Sequence, residues 1–121
     1  MYVYFIKSGP FVKVGCAADP VRRLNELQIG NPQKLMLVAM LRGKSQAHGE
    51  QFERAIHSAL RRLSIRGEWF EYGPIAWVIK QLRRDMSIDE ALQIFRSHFK
   101  HQRARRLRRK EREQICPEVT K

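Results

Sequence analysis

The chain has 121 residues, 24 of them Lys or Arg against 12 Asp or Glu, for a net charge of +12 and a pI near 10.5. That length suits one domain with one core plus an appendage, and that charge implies a polyanion partner, most simply nucleic acid. The start shows no charged segment leading into an apolar run, and no apolar stretch approaches the ~18 residues a membrane span needs. No signal peptide, no membrane partner and a cytoplasmic location are therefore expected.

Cys16 and Cys116 are far apart and form no CxxC pair, which argues for a reducing compartment and against a zinc site. His98 and His101 with Cys116 lack a fourth ligand. Both parts of the chain are basic: residues 1–74 carry 11 Lys/Arg against 6 acids, and residues 75–121 carry 13 against 6. Both are expected to touch the same polymer.

Tyr2 to Lys7 and Phe11 to Gly15 alternate like two strands joined at Ser8-Gly9-Pro10. Pairing Val3 with Val14 and Phe5 with Val12 makes one face of this hairpin wholly apolar. That register places Tyr4 opposite Lys13 on the other face, about 5 Å apart at Cβ. Asp19-Pro20 is an N-cap followed by proline at the first helical position. Val21, Leu24 and Leu27 give the helix its period, and Gly30 with Asn31-Pro32 ends it. Lys34 to Leu41 is nearly all apolar and reads as a central strand covered on both faces.

A second helix is predicted over about Gln46 to Arg62, with Phe52, Ile56, Ala59 and Leu63 as its core stripe. Gly67-Glu68-Trp69-Phe70 reads as a short strand or packed turn whose aromatics close the core. Helical pattern resumes with Ile75, Val78, Ile79 and Leu82. Ser87 and Glu90 form a capping box ahead of an Ile88, Leu92, Phe95, Phe99 stripe. The expected organisation is a domain over 1–73, a packed helical extension over 74–95 and a basic tail over 96–121. Residues 96–112 carry nine Lys/Arg and one acid. Such a segment cannot bury a face, so an extended helix in solvent or disorder is expected until a partner is met. No internal repeat is evident.

"YVY" (2–4), "KVG" (13–15), Arg23, "E..IH" (53–57) and "GEWF" (67–70), in this order and spacing, resemble the GIY-YIG nuclease superfamily. The closer resemblance is to its shortened phage-type branch, also known from a meiotically up-regulated fungal family. It covers roughly residues 1–73. The resemblance implies an α/β fold with a small three-stranded antiparallel sheet flanked by helices, and metal-dependent cleavage of DNA phosphodiesters in a phage or bacterial setting. Tyr4 matches the tyrosine of the first tripeptide, Val14-Gly15 the end of the second, Arg23 the helix arginine and Glu53 the metal-binding glutamate. The chain departs from the pattern at Lys13, where the family has a tyrosine, and at the late asparagine, whose region holds Glu68-Trp69. The phage-type branch departs in similar ways and is often described only as DNA-binding.

The chemistry of these residue types can be weighed separately. A lone helix carboxylate, Glu53, suits Mg²⁺ or Mn²⁺, which keep several waters and take further ligands from substrate phosphate. His57, one turn on, shares its face and is a candidate for proton transfer. The planar fork of Arg23 fits a phosphate and its developing charge, whereas Arg22 is expected on the solvated side as a backbone-phosphate contact. Tyr4 needs a neighbouring cation or metal to accept a proton from water, and Lys13 is the expected cation. Gly15 lets a phosphate approach the backbone. In the tail, Arg103, Arg105, Arg106, Arg108, Arg109, Lys110 and Arg112 are expected to contact phosphates.

These readings converge on a small Mg²⁺-dependent DNA endonuclease with non-specific DNA binding through its tail, acting as a monomer or weak dimer without a small-molecule cofactor. The alternatives are a DNA-binding module of the same fold without turnover, and an RNA-binding protein.

Overall fold

The computed structural model describes residues 1–99. Its centre is a five-stranded antiparallel sheet of β1 (Tyr2–Ser8), β2 (Phe11–Ala17), β3 (Leu35–Arg42), β4 (Ser64–Arg66) and β5 (Trp69–Glu71), in the order β3-β1-β2-β5-β4. The expectation of three strands falls short because the segment after the second helix folds back as a hairpin, β4–β5, onto β2. The apolar β3 is an edge strand, not a central one. Its faces are only partly covered, with Leu35 and Leu41 buried and Met36 exposed, and among the described residues its outer rim is unpaired.

β1 and β2 pair Val3 with Cys16, Tyr4 with Gly15, Phe5 with Val14 and Ile6 with Lys13. This corrects the expected register by two residues. The connection is a two-residue turn at Gly9-Pro10, with Gly9 at φ 55°, not a three-residue loop. A two-residue slip preserves side-chain parity, so every residue stays on its expected face. Lys13 is consequently diagonal to Tyr4, about 7–8 Å away, and Gly15 is the residue opposite it.

One face carries the main core. Val3, Phe5, Val12, Val14, Leu41 and Phe70 pack against Phe52 and Ile56 of α2 (Gln46–Ala59), against Ile75, and against Val78 and Ile79 of α3 (Ala76–Gln81). A fourth helix, α4, begins at 88 and continues through 99, adding Ile88, Ala91 and Phe95 to the same core. Ser87 caps it by accepting from the Glu90 amide at 3.1 Å. On the opposite face Tyr4, Ile6 and Leu35 pack with Leu24 and Leu27 of α1 (Pro20–Gln28) and with Trp69. Trp69 and Phe70, adjacent in a strand, therefore serve opposite faces. The Asp19 cap is formed, accepting from the Arg22 amide at 3.1 Å. The second helix stops at Ala59, and Arg61–Leu63 form a 3-10 turn leading into β4.

Candidate functional site

The site gathers on the part of β2 that β5 leaves uncovered. β5 pairs with Phe11 to Lys13 only. Just beyond, the Val14 amide donates to the Glu68 carbonyl at 3.1 Å, and the Val14 carbonyl lies 2.9 Å from His57 Nε2. Both groups of Val14 thus point away from β1, and strand alternation aims those of Cys16 the same way. Val14 to Cys16 form a rim between the two layers of helices, with Val14 and Gly15 buried and Cys16 half-buried.

From the α1 face, Tyr4 reaches this rim. A β-carbon on Gly15 would collide with the Tyr4 hydroxyl and stand 2.6 Å from its Cζ. Gly15 is therefore required by the phenol crossing over it. Arg23 approaches the same hydroxyl from α1. The Tyr4 hydroxyl nearby, and then Glu26, hold the Arg23 guanidinium proton more tightly than usual. Glu26 meets Arg23 Nη1 and Arg22 Nε, each at 3.4 Å. Arg22 is the more solvated of the two, with its side chain 80% exposed against 45% for Arg23.

From the α2 face comes Glu53, whose side chain is half-buried. His57, one turn later, places Nε2 3.7 Å from Glu53 Oε1. A carbonyl oxygen only accepts, so Nε2 carries a proton and donates to Val14. His57 thereby ties α2 to the rim and steadies Glu53. The Cys16 thiol donates to the Gly49 carbonyl at 3.3 Å. Burial first, then a hydrogen bond to Glu53 and the charges of Glu53, Glu50 and Glu68, push this thiol from the usual 9.0 up to about 12. Sequence reasoning missed Cys16 as a neighbour of Glu53; its place one residue past the glycine was the available signal.

Lys13 departs from expectation. Its Nζ pairs with Glu68 Oε2 at 3.1 Å and lies 5.9 Å from the centre of the Trp69 ring. The cation beside the Tyr4 hydroxyl is Arg23. Glu68, taken from sequence only as part of a packed turn, is the partner that holds Lys13. His48 accepts from the Lys44 amide at the start of α2, away from the rim. The basic tail residues Arg103, Arg105, Arg106, Arg108, Arg109, Lys110 and Arg112 lie outside the described residues.

Glu53 contributes one hard oxygen donor group, and no cluster of three or more His, Cys, Asp or Glu side chains suited to a metal occurs among the described residues. That donor set fits an ion that retains most of its water shell, as Mg²⁺ does. Also among the described residues, no helix is long and apolar enough to cross a membrane.

Fold and rim together define a small mixed α/β domain with cationic and carboxylate groups collected around one strand end. The chain belongs to the T5orf172 domain family, whose model matches residues 1–97. That membership is compatible with a nuclease-like or DNA-related role. No curated protein and no solved structure matches the chain.

Proposed function

We propose that this protein is a divalent-metal-dependent DNA endonuclease of GIY-YIG type, with its active site at the Val14–Cys16 rim. The observation that carries this reading is that α1 and α2, on opposite faces of the sheet, bring Arg23 with Tyr4 and Glu53 with His57 to the same three residues of β2. Arg23 grips a non-bridging oxygen of the scissile phosphate and offsets the charge that grows there. Tyr4 acts as the phenolate: its oxygen takes the proton of the attacking water and becomes the phenol, with Arg23 beside it offsetting the anion's charge. Gly15 makes room for the phenol, so the space above it is taken up by Tyr4 and not left for a phosphate. Glu53 is the residue that would hold Mg²⁺ or Mn²⁺, and His57 orients it. When bound, the ion supplies charge neutralisation on the phosphate and lowers the cost of deprotonating water.

The test is plasmid nicking by purified protein with Mg²⁺. Wild-type protein converts supercoiled to open circular DNA, whereas Glu53→Gln and Tyr4→Phe lose this activity and still bind duplex. No nicking by the wild type, or equal nicking by all three, overturns the hydrolytic reading.

A second reading is a DNA-binding module without turnover. It is favoured by the Lys13–Glu68 pair, which ties up the lysine standing where the family pattern has a tyrosine, and by Tyr4 being packed with Ile6 and Leu35. In that case duplex binding persists in Glu53→Gln and no variant changes the DNA.

A further inference from the structure

The β4–β5 hairpin carries an arginine group that the proposed active site does not use. Arg61 and Arg62 lie on the 3-10 turn before β4, and Arg66 ends that strand. All three are exposed, and among the described residues none has a carboxylate within ion-pair distance. Beside the rim, Lys13 is held by Glu68, and Arg22 and Arg23 by Glu26. Exposed guanidinium groups without a carboxylate partner gain most from an external anion.

Their position relative to the rim is set by the sheet. Arg66 pairs with Trp69, and Trp69 pairs with Lys13. Strand parity places Arg66, Trp69, Lys13 and Tyr4 on one face, the face of α1. With ~4.8 Å between neighbouring strands and Tyr4 two residues off the line through Lys13, Arg66 stands about 10 Å from Lys13 and about 16 Å from Tyr4. At a rise of ~3.4 Å per nucleotide along each strand, that separation spans roughly five base steps. Backbone hydrogen bonding of β5 to β2 fixes the hairpin to the strand that bears the rim.

We infer that this hairpin is a second DNA-binding element. Arg61, Arg62 and Arg66 engage backbone phosphates of a duplex, with Arg66 about five base pairs to one side of the phosphate held at the rim. The inference rests on the DNA reading above, but not on turnover.

The experiment is duplex binding by fluorescence anisotropy of the full chain, in EDTA, across a salt series. It compares wild type with an Arg61→Ala/Arg62→Ala/Arg66→Ala triple variant, and with Arg83→Ala as a surface-arginine control whose partner is Asp85. Loss of three phosphate contacts lowers the slope of log Kobs against log salt by about 2.7, at ~0.9 per phosphate. The triple variant is expected to show that loss, and Arg83→Ala to keep the wild-type slope. A variant slope equal to wild type, with wild-type binding intact, overturns the hairpin assignment alone. No duplex binding by the wild type overturns both it and the DNA reading. Binding with the expected slope change but no nicking in Mg²⁺ upholds the hairpin while removing the hydrolytic reading. Since the substituted side chains are exposed, unchanged circular dichroism and melting temperature are expected; a matching slope loss in Arg66→Ala alone, by about 0.9, checks the result independently.

Discussion

Tyr4 occupies the space that a side chain on Gly15 would need. Gly15→Ala therefore forces the phenol off the rim or spreads β1 from β2. Overpacking of this kind costs about 1–3 kcal/mol. Chemical denaturation is expected to show that loss. In a Tyr4→Ala background, itself less stable, the further cost of Gly15→Ala should shrink, because the colliding ring is gone. Equal stability of wild type and Gly15→Ala would mean that Tyr4 does not cross the glycine.

His57 is expected to act through placement. His57→Ala leaves the Val14 carbonyl without its donor and loosens α2. The cost of an unpaired buried carbonyl is about 1–3 kcal/mol. His57→Gln, whose amide can donate, should restore much of the stability and of the nicking activity. If His57→Gln is stable yet as inactive as Glu53→Gln, the imidazole takes part in proton transfer instead.

The Cys16 thiol carries a pH signature. Its ordinary value is 9.0 and its folded value about 12, so the folded state holds this proton more tightly. The associated stability is complete below pH 9.0 and is lost as pH rises towards about 12. The stability difference between wild type and Cys16→Ala should shrink across that window. At pH 8, in a Cys116→Ser background and metal-free buffer, alkylation of Cys16 should be at least about a hundredfold slower than that of the unfolded chain. Labelling at the unfolded rate would show that the thiol is not buried beside Glu53.

Glu68 restrains Lys13, and its removal should be visible in binding. Glu68→Gln frees the ammonium on the rim face for phosphate. Duplex affinity at low salt is expected to rise about three- to tenfold, with the salt slope steeper by about 0.9. Lys13→Gln should show no such gain. An unchanged slope for Glu68→Gln would place Lys13 off the DNA path.

The sequence made some of these relationships legible because side-chain parity survives errors of register. Val3, Phe5, Val12 and Val14 demand one shared face, and any slip by an even number of residues satisfies them. The choice between such slips lies in the turn, where Gly9 accepts φ 55° and permits a two-residue connection. Hydrophobic matching alone does not sense that. Asp19-Pro20 and Ser87-Glu90 were readable since caps are local chemistry. β4 was not: Ser64, Ile65 and Arg66 are all exposed and show no alternation, and only pairing with β5 makes them a strand. The Lys13–Glu68 contact joins residues 55 positions apart in sequence and depends on that same hairpin. The edge position of β3 was hidden because a half-covered edge strand carries the same apolar run as a central one.

Both ends of the sheet resist extension by another chain. At one end β3 bears an extra residue, Val38, between the partners of Phe5 and Ile6, and Leu82 and Arg84 line the cleft beside it. A bulged, flanked strand is a poor template for a new neighbour. At the other end β4 is three residues long and finishes in Arg66, too short and too charged for an incoming strand to zip onto. Capture of a partner by backbone ladder bonds is disfavoured at both margins. Recognition is left to side chains on the rim and the hairpin, where single substitutions can tune it without rebuilding the scaffold.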